Sequence, residues 1–252
     1  MSGYVETPNP AGDLKTEINP LIFAIPASFD IIASTMNNIA LTMVAGSVYQ
    51  MMRGMKIAVT AFFSIVFLKR KLYRHHWSSV AVIFIGLVLV GVAVLTGGST
   101  NGIASEPLGI ILLILGTVFT SGMFIVEEKV LGSYYLDPLK VVGYEGLFGF
   151  LMWCVLLPIF QQIECKNDKL CPYGRLEDTI RAFQDYGANY VLILLSLAIC
   201  FTIAMFNAFG VAVTKNASSA QRATIDTSRT LFIWIFFLIV SVNGKREDFY
   251  WL

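Results

Sequence analysis

The chain has 252 residues, of which 56% are hydrophobic and 14% are charged, with a formal net charge of +1. Its mean hydropathy is +0.69. The balanced charge argues against a nucleic-acid partner, and the apolar excess is typical of a chain embedded in a lipid bilayer. Its long apolar runs lack strand alternation, so they predict an all-α integral membrane protein.

About seven stretches are long enough to cross a bilayer as helices, for which roughly 20 apolar residues suffice. In chain order they are 20–43, 47–68, 77–95, 108–126, 141–160, 190–213 and 223–242. The basic connection after the second stretch indicates that this side faces the cytosol, or the matrix of a mitochondrion. The fourth stretch ends at Glu127 and Glu128, which we expect at the membrane interface. The loop 161–189 contains RLEDTIRAFQDYG, whose helical apolar spacing predicts a short amphipathic helix on the membrane surface.

Polar side chains within these stretches are the main functional clues, because a charge at the bilayer centre costs at least about 2.5–3.5 kcal/mol. In five cases we expect structural roles inside the helix bundle: Asp30, Asn37, Asn38, Glu145 and Asn207. Asp30 is expected to pair with Lys56 or Arg53. The glycines around Glu145 predict close backbone packing there.

Two segments whose positions differ by 173 residues share a pattern of small residues, then a cation, then an apolar aromatic run. This shift aligns Lys56 with Arg229, and such internal repeats are typical of transporters. Arg53 and Asp226 each lie three residues before one of these cations, and therefore on the same helix face. These four residues form a candidate solute cavity suited to an anionic solute. The alternative is that Arg53 reaches the interface and Asp226 neutralises Arg229 within one helix.

Four cysteines are present. Cys154 and Cys200 fall in predicted helices and are expected to be packing residues. Cys165 and Cys171 share the loop 161–189, either as a disulfide or as two free thiols. No catalytic constellation, metal-ligand spacing or phosphate-binding motif occurs in the sequence, so we expect neither an enzyme nor a cofactor.

Longer motifs carry a family resemblance. They are NPLIFAIPASFD from Asn19, YQMMRG from Tyr49, VEEKVL from Val126, DPLKVVGYEGLFGF from Asp137, GRLED from Gly174, FNAFGVAVTK from Phe206 and DTSRT from Asp226. With these the chain resembles the drug/metabolite transporter superfamily, and within it the nucleotide-sugar-transporter-like solute carrier family 35, F branch. The resemblance implies ten helices in two inverted repeats of five, with a solute site between the halves. The matched segments would be helices four and nine.

Against this family pattern, the first two helices and the last have no counterpart in the chain. We therefore expect a remnant of the ten-helix fold: a polar tail 1–19, a first repeat 20–96, a loop 97–107, a second repeat 108–242 and a tail 243–252.

This remnant favours an accessory, transport-inactive subunit of a larger membrane assembly, with other membrane subunits and lipid as its partners. A respiratory complex of the mitochondrial inner membrane is one candidate setting. The alternative is an active carrier of a small anionic organic solute, similar to a nucleotide sugar, in an intracellular organelle membrane.

Overall fold

The computed structural model describes residues 18–44, 49, 52–69, 77–78, 80–86, 88–89, 107–163 and 178–239. All regular elements in these ranges are helices. They are α1 (Ala24–Met43, preceded by a 3-10 turn at Pro20–Phe23), α2 (Met55–Leu68), α3 (Pro107–Ser133), α4 (Pro138–Gln162), α5 (Thr179–Ala188), α6 (Tyr190–Asn216) and α7 (Ser219–Ile239). Helical residues also occur between 77 and 89.

The helices confirm the expected all-α membrane protein. Within the described residues, four segments have the length and apolar composition to cross a bilayer: Pro20–Met43, Leu108–Ser133, Pro138–Gln162 and Tyr190–Asn216. Met55–Leu68 is a shorter apolar helix. Residues 1–17, the tail 243–252, the loop 97–106 and both loop cysteines, Cys165 and Cys171, lie outside the described residues.

Helix α3 differs from its expected end. It continues to Ser133, seven residues beyond 126, and so Glu127 and Glu128 lie inside it. Both residues are buried within the protein, at 2% and 6% exposure. The helix continues because Leu131, one turn further on, packs into an apolar core.

Several helix boundaries have a local cause. The Asp137 side chain accepts a hydrogen bond from the Leu139 amide at 2.9 Å, and Pro138 occupies the first helical position of α4. Asn189, the single residue between α5 and α6, likewise accepts from the Val191 amide at 3.0 Å. Helix α2 ends at Leu68, because the next residue, Lys69, has a left-handed backbone conformation (φ 53°).

The chain divides into two compact units, and unit 1 comprises residues 1–28 and 126–216. Helix α4 packs against α6 and against the 3-10 turn Pro20–Phe23. The core of this unit contains Phe23, Leu131, Leu136, Val141 and Val211. Phe23 stacks on Tyr144 with 5.5 Å between ring centroids. Apolar and aromatic contacts therefore hold unit 1 together.

Helix α5 also belongs to unit 1 and packs against α6. The hydroxyls of Tyr186 and Ser196 lie 3.0 Å apart at this contact. Ile180 and Phe183 are 57% and 71% exposed. The structure therefore has a helix within the loop 161–189, with its apolar side chains on the outside.

Unit 2 comprises residues 29–125 and 217–252, and here α2 packs against α7. Helices α1 and α3 approach closely at glycines: a β-carbon on Gly109 would lie 2.8 Å from the β-carbon of Met43. One on Gly116 would lie 2.5 Å from the side-chain oxygen of Asn37. Small residues of this kind allow helix backbones to approach within a membrane.

Candidate solute-binding site

A line of small and charged residues forms the contact between α2 and α7. On α2 it contains Lys56, Thr60 and Ser64, spaced four residues apart and all buried. Lys56 meets Asp226, while the hydroxyl oxygens of Ser64 and Ser219 lie 3.5 Å apart. Since advancing along α2 means going back along α7, the two helices are antiparallel. The matched segments of the sequence therefore contact each other directly.

The centre of this contact is an ion pair. The Lys56 ammonium donates a hydrogen bond to Oδ2 of Asp226, and the two side chains are only 10% and 7% exposed. The second oxygen, Oδ1, lies 3.3 Å from Nη2 of Arg229, which is 40% exposed. One carboxylate therefore bridges the two cations that the 173-residue shift aligns. Buried charges require such partners because desolvation costs several kcal/mol per ion.

Arg222 is a further cation of α7 that the sequence analysis missed, because the predicted seventh span began one residue later. It is buried, and its guanidinium carbon lies 4.2 Å from the centroid of the Phe124 ring. The Lys56 ammonium lies 5.6 Å from the same centroid. Arg222, Asp226 and Arg229 follow one another at spacings of four and three, so one helix face carries all three. That spacing is the signal that could have identified Arg222.

Two more charged residues of unit 2 interact with these. Asp30 on α1 is exposed, and its carboxylate accepts a hydrogen bond from Ser34 and is near enough to Arg222 and Lys56 to be influenced by their charges. Arg53, just before α2, interacts electrostatically with Lys56 and Asp226. We call the six residues the α2–α7 charge cluster: Asp30, Arg53, Lys56, Arg222, Asp226 and Arg229.

Thr60 adds a hydroxyl one turn after Lys56 on the same face of α2. It is fully buried, and its Oγ1 has no hydrogen-bond partner among the described residues. A hydroxyl and an ammonium on adjacent turns are suited to binding the oxygens of a phosphate or a carboxylate.

The other polar residues singled out from the sequence lie elsewhere. Asn37 packs against Gly116, and Asn38 is exposed. Glu145 and Asn207 are half-buried members of unit 1. Around Glu145 the expected close packing is absent from the described residues, since a β-carbon on Gly143, Gly146 or Gly149 would meet nothing within 4 Å. No group of three or more His, Cys, Asp or Glu residues in the described ranges could hold a metal ion.

Comparisons with known proteins give the family. A Nucleotide-sugar transporter family model matches residues 13–137. Solute carrier family 35 member F6 of Homo sapiens is 34% identical over 224 residues, which cover 88% of this chain and 60% of that protein. An uncharacterized protein of Schizosaccharomyces pombe is 32% identical over 225 residues, covering 89% of this chain and 68% of its own.

A more distant relative is the UDP-galactose translocator of Homo sapiens, 26% identical over 137 residues, or 52% of this chain and 34% of that protein. The chain spans about 60% of the length of its solute carrier relatives. With the helical membrane fold and these matches, the chain belongs to the solute carrier 35-like family of drug/metabolite transporters.

Proposed function

We propose that this protein is a multi-pass membrane carrier that binds the anionic group of an organic solute at the α2–α7 charge cluster. The observation that carries the proposal is the buried Lys56–Asp226 pair with Arg229 on the second carboxylate oxygen. The pair joins two helices that correspond to each other in the internal repeat. A solute site between matched helices is the arrangement that repeat-built transporters use.

The charges of the cluster support an anionic solute. Four of its members are cations and two are carboxylates, so cations predominate in the cluster. Charged side chains inside a membrane helix bundle pair with one another and often mark a substrate or ion path. The cluster therefore favours a solute that carries negative charge.

The relatives support a nucleotide-sugar-like substrate class. The name of the UDP-galactose translocator states that it moves UDP-galactose, in which a diphosphate carries the negative charge. Lysine and arginine are the side chains that bind phosphate groups most strongly in proteins. We infer that the solute of this chain carries a diphosphate or a comparably dense anionic group, and that the chain acts in an organelle membrane.

Uptake into proteoliposomes containing the purified full chain tests this function. Radiolabelled UDP-galactose and uncharged galactose are compared at equal concentrations. We expect uptake of UDP-galactose alone, and Lys56→Gln should lower it by about tenfold or more, the scale on which close charge pairs couple. Lys140→Gln removes an exposed lysine at the start of α4 and should leave uptake unchanged. Equal uptake by the Lys56→Gln and wild-type proteins would refute the proposal.

A second candidate function is that of an accessory subunit in a larger membrane assembly, for which the mitochondrial inner membrane is the setting to test. The apolar surface of α6 favours it: Leu194, Phe201 and Phe209 are 67%, 68% and 69% exposed. Lipid tails or the helices of another protein could cover such a surface.

A photo-crosslinking amino acid at Phe201 or Phe209, introduced into the protein in its own membrane, separates the two functions. A subunit yields one defined protein adduct, whereas a carrier surrounded by lipid yields lipid adducts. Residue Phe183 of α5 serves as the matched position outside the spans.

A further inference from the structure

We propose that Asp226 is an internal counter-anion that occupies the place of the solute's anionic group and leaves Lys56 when the solute binds. This inference rests on the proposed function and assigns Asp226 the role of setting the affinity and the charge selectivity of the site. Asp226 would thus be a competitor of the solute rather than one of its ligands.

The Asp226 carboxylate lies between two cations, and this position suggests its role. One oxygen accepts a hydrogen bond from Lys56, and the other lies 3.3 Å from the guanidinium of Arg229. Lys56 and Arg229 occupy equivalent positions of the two matched segments. An anion bound symmetrically by the two halves of the repeat would lie between these cations, and the Asp226 carboxylate lies there already.

Electrostatics explains why a competitor at this position is useful. Without a counter-anion, the buried Lys56 ammonium would be strongly unfavourable in the membrane. Asp226 supplies this charge, so the helices can pack before a solute arrives. When a solute anion binds Lys56 it replaces one carboxylate contact, and only the difference between the two interactions contributes to its affinity.

This exchange favours some anions over others. A sugar carboxylate has the same chemistry as Asp226, so it gains little by replacing it. A diphosphate carries more charge and more acceptor oxygens, so it gains more from Lys56 and from the buried hydroxyl of Thr60. Asp226 therefore favours phosphorylated solutes over simple carboxylates.

The displaced carboxylate retains a partner. Asp226 and Arg229 belong to the same helix and are three residues apart, so their contact does not depend on α2. The Arg229 side chain is 40% exposed, whereas that of Asp226 is 7% exposed. Asp226 can therefore turn toward Arg229 and the more open side of the cluster without becoming an unpaired buried charge.

The test is equilibrium binding to the purified full chain, with UDP-galactose and glucuronate as probes. Asp226→Asn removes the charge and keeps the shape of the side chain. We expect it to lower the Kd for UDP-galactose by about tenfold or more, the scale of coupling between close charge pairs. We expect the Kd for glucuronate to fall further, so that the preference for the diphosphate shrinks. Asp185→Asn, which changes an exposed carboxylate of α5, should alter neither value.

An unchanged or higher Kd for UDP-galactose in Asp226→Asn would overturn the inference while leaving the proposed function intact. Absence of wild-type binding to both probes would instead refute the proposed function, and the inference with it. If Asp226→Asn does not fold, Lys56→Gln is compared with the Lys56→Gln, Asp226→Asn double variant, in which neither half of the pair is a lone charge. The double variant should then bind UDP-galactose more tightly than the single one, and equal or weaker binding would again overturn the inference.

Discussion

Unit 1 packs around aromatic and aliphatic side chains, whereas unit 2 combines a small apolar core with close glycine contacts, hydroxyls and a buried ion pair. Phe23 and Tyr144 stack in unit 1, while Lys56 and Asp226 join α2 to α7 in unit 2. Apolar packing in a membrane carries no desolvation cost, but a buried ion pair does. We propose from this difference that unit 1 mainly stabilises the fold and that the solute site lies in unit 2.

The largest effect is expected when cysteines introduced on α2 and α7 are crosslinked. Ser64→Cys combined with Ser219→Cys should form a disulfide in nearly all molecules under mild oxidation, because the two hydroxyl oxygens are 3.5 Å apart. Phe62→Cys with Ser219→Cys is the control, since Phe62 is 59% exposed and Ser219 is fully buried. Reaction of free thiols with a maleimide measures both yields. Equal yields from the two pairs would show that α2 does not pack on α7 in this register.

The apolar core of unit 1 should be the part most sensitive to truncation. Phe23 is 1% exposed and stacked on Tyr144, so Phe23→Ala should lower the free energy of unfolding by about 3–5 kcal/mol. Leu21→Ala, at a side chain 63% exposed, should have a much smaller effect. Thermal unfolding in detergent measures the loss. The Kd for UDP-galactose of the protein that remains folded should not change, and a parallel loss of binding would contradict the division of roles between the units.

Alanine substitutions at glycines should change stability in opposite directions in the two units. Gly109→Ala places a methyl group against Val44 and Met43, so overpacking should cost about 1–3 kcal/mol. Gly149→Ala meets nothing within 4 Å and should be neutral, or stabilising by about 1 kcal/mol through helix propensity. The midpoints of thermal unfolding of both variants provide the comparison. A lower midpoint for Gly149→Ala than for Gly109→Ala would mean that α4 packs closely there and α3 does not.

The smallest loss of stability is expected from a substitution at the end of α6. The Lys215 ammonium donates to the Leu136 carbonyl at 2.7 Å and lies 5.1 Å from the Tyr135 ring centroid. Lys215→Gln should cost about 0.5–1.5 kcal/mol, the net contribution of one hydrogen bond. Chemical denaturation of this variant and of Lys140→Gln measures the difference. A larger loss in Lys140→Gln would contradict the contact.

Much of the helical organisation could be predicted from the sequence, because each apolar run is long and bounded by polar residues or proline. The expected start at 190 and the start of α6 coincide, and α4 extends the expected span by only a few residues at each end. The end of α3 could not be predicted in this way. The charges of Glu127 and Glu128 suggest that the span ends there. Only the packing of Leu131 into the core shows why the helix continues.

The residues of the α2–α7 charge cluster were easier to predict from the sequence than the contacts between them. The repeat pattern identified Lys56 and Arg229, and intrahelical spacing suggested the contact between Asp226 and Arg229. The bond from Lys56 to Asp226 joins residues 170 positions apart, so it depends on how α2 packs against α7. Helical spacing alone likewise cannot tell which glycines face another helix, as Gly109 and Gly149 show.

Binding of an anionic solute by the α2–α7 charge cluster is tested most directly by the Kd for UDP-galactose. Two variants of the cluster, Lys56→Gln and Arg229→Gln, are compared with the control Lys140→Gln. We expect binding weaker by about tenfold or more for Lys56→Gln, a smaller loss for the more exposed Arg229→Gln, and an unchanged Kd for Lys140→Gln. Wild-type affinity in both cluster variants, or an equal loss in Lys140→Gln, would contradict binding at the cluster.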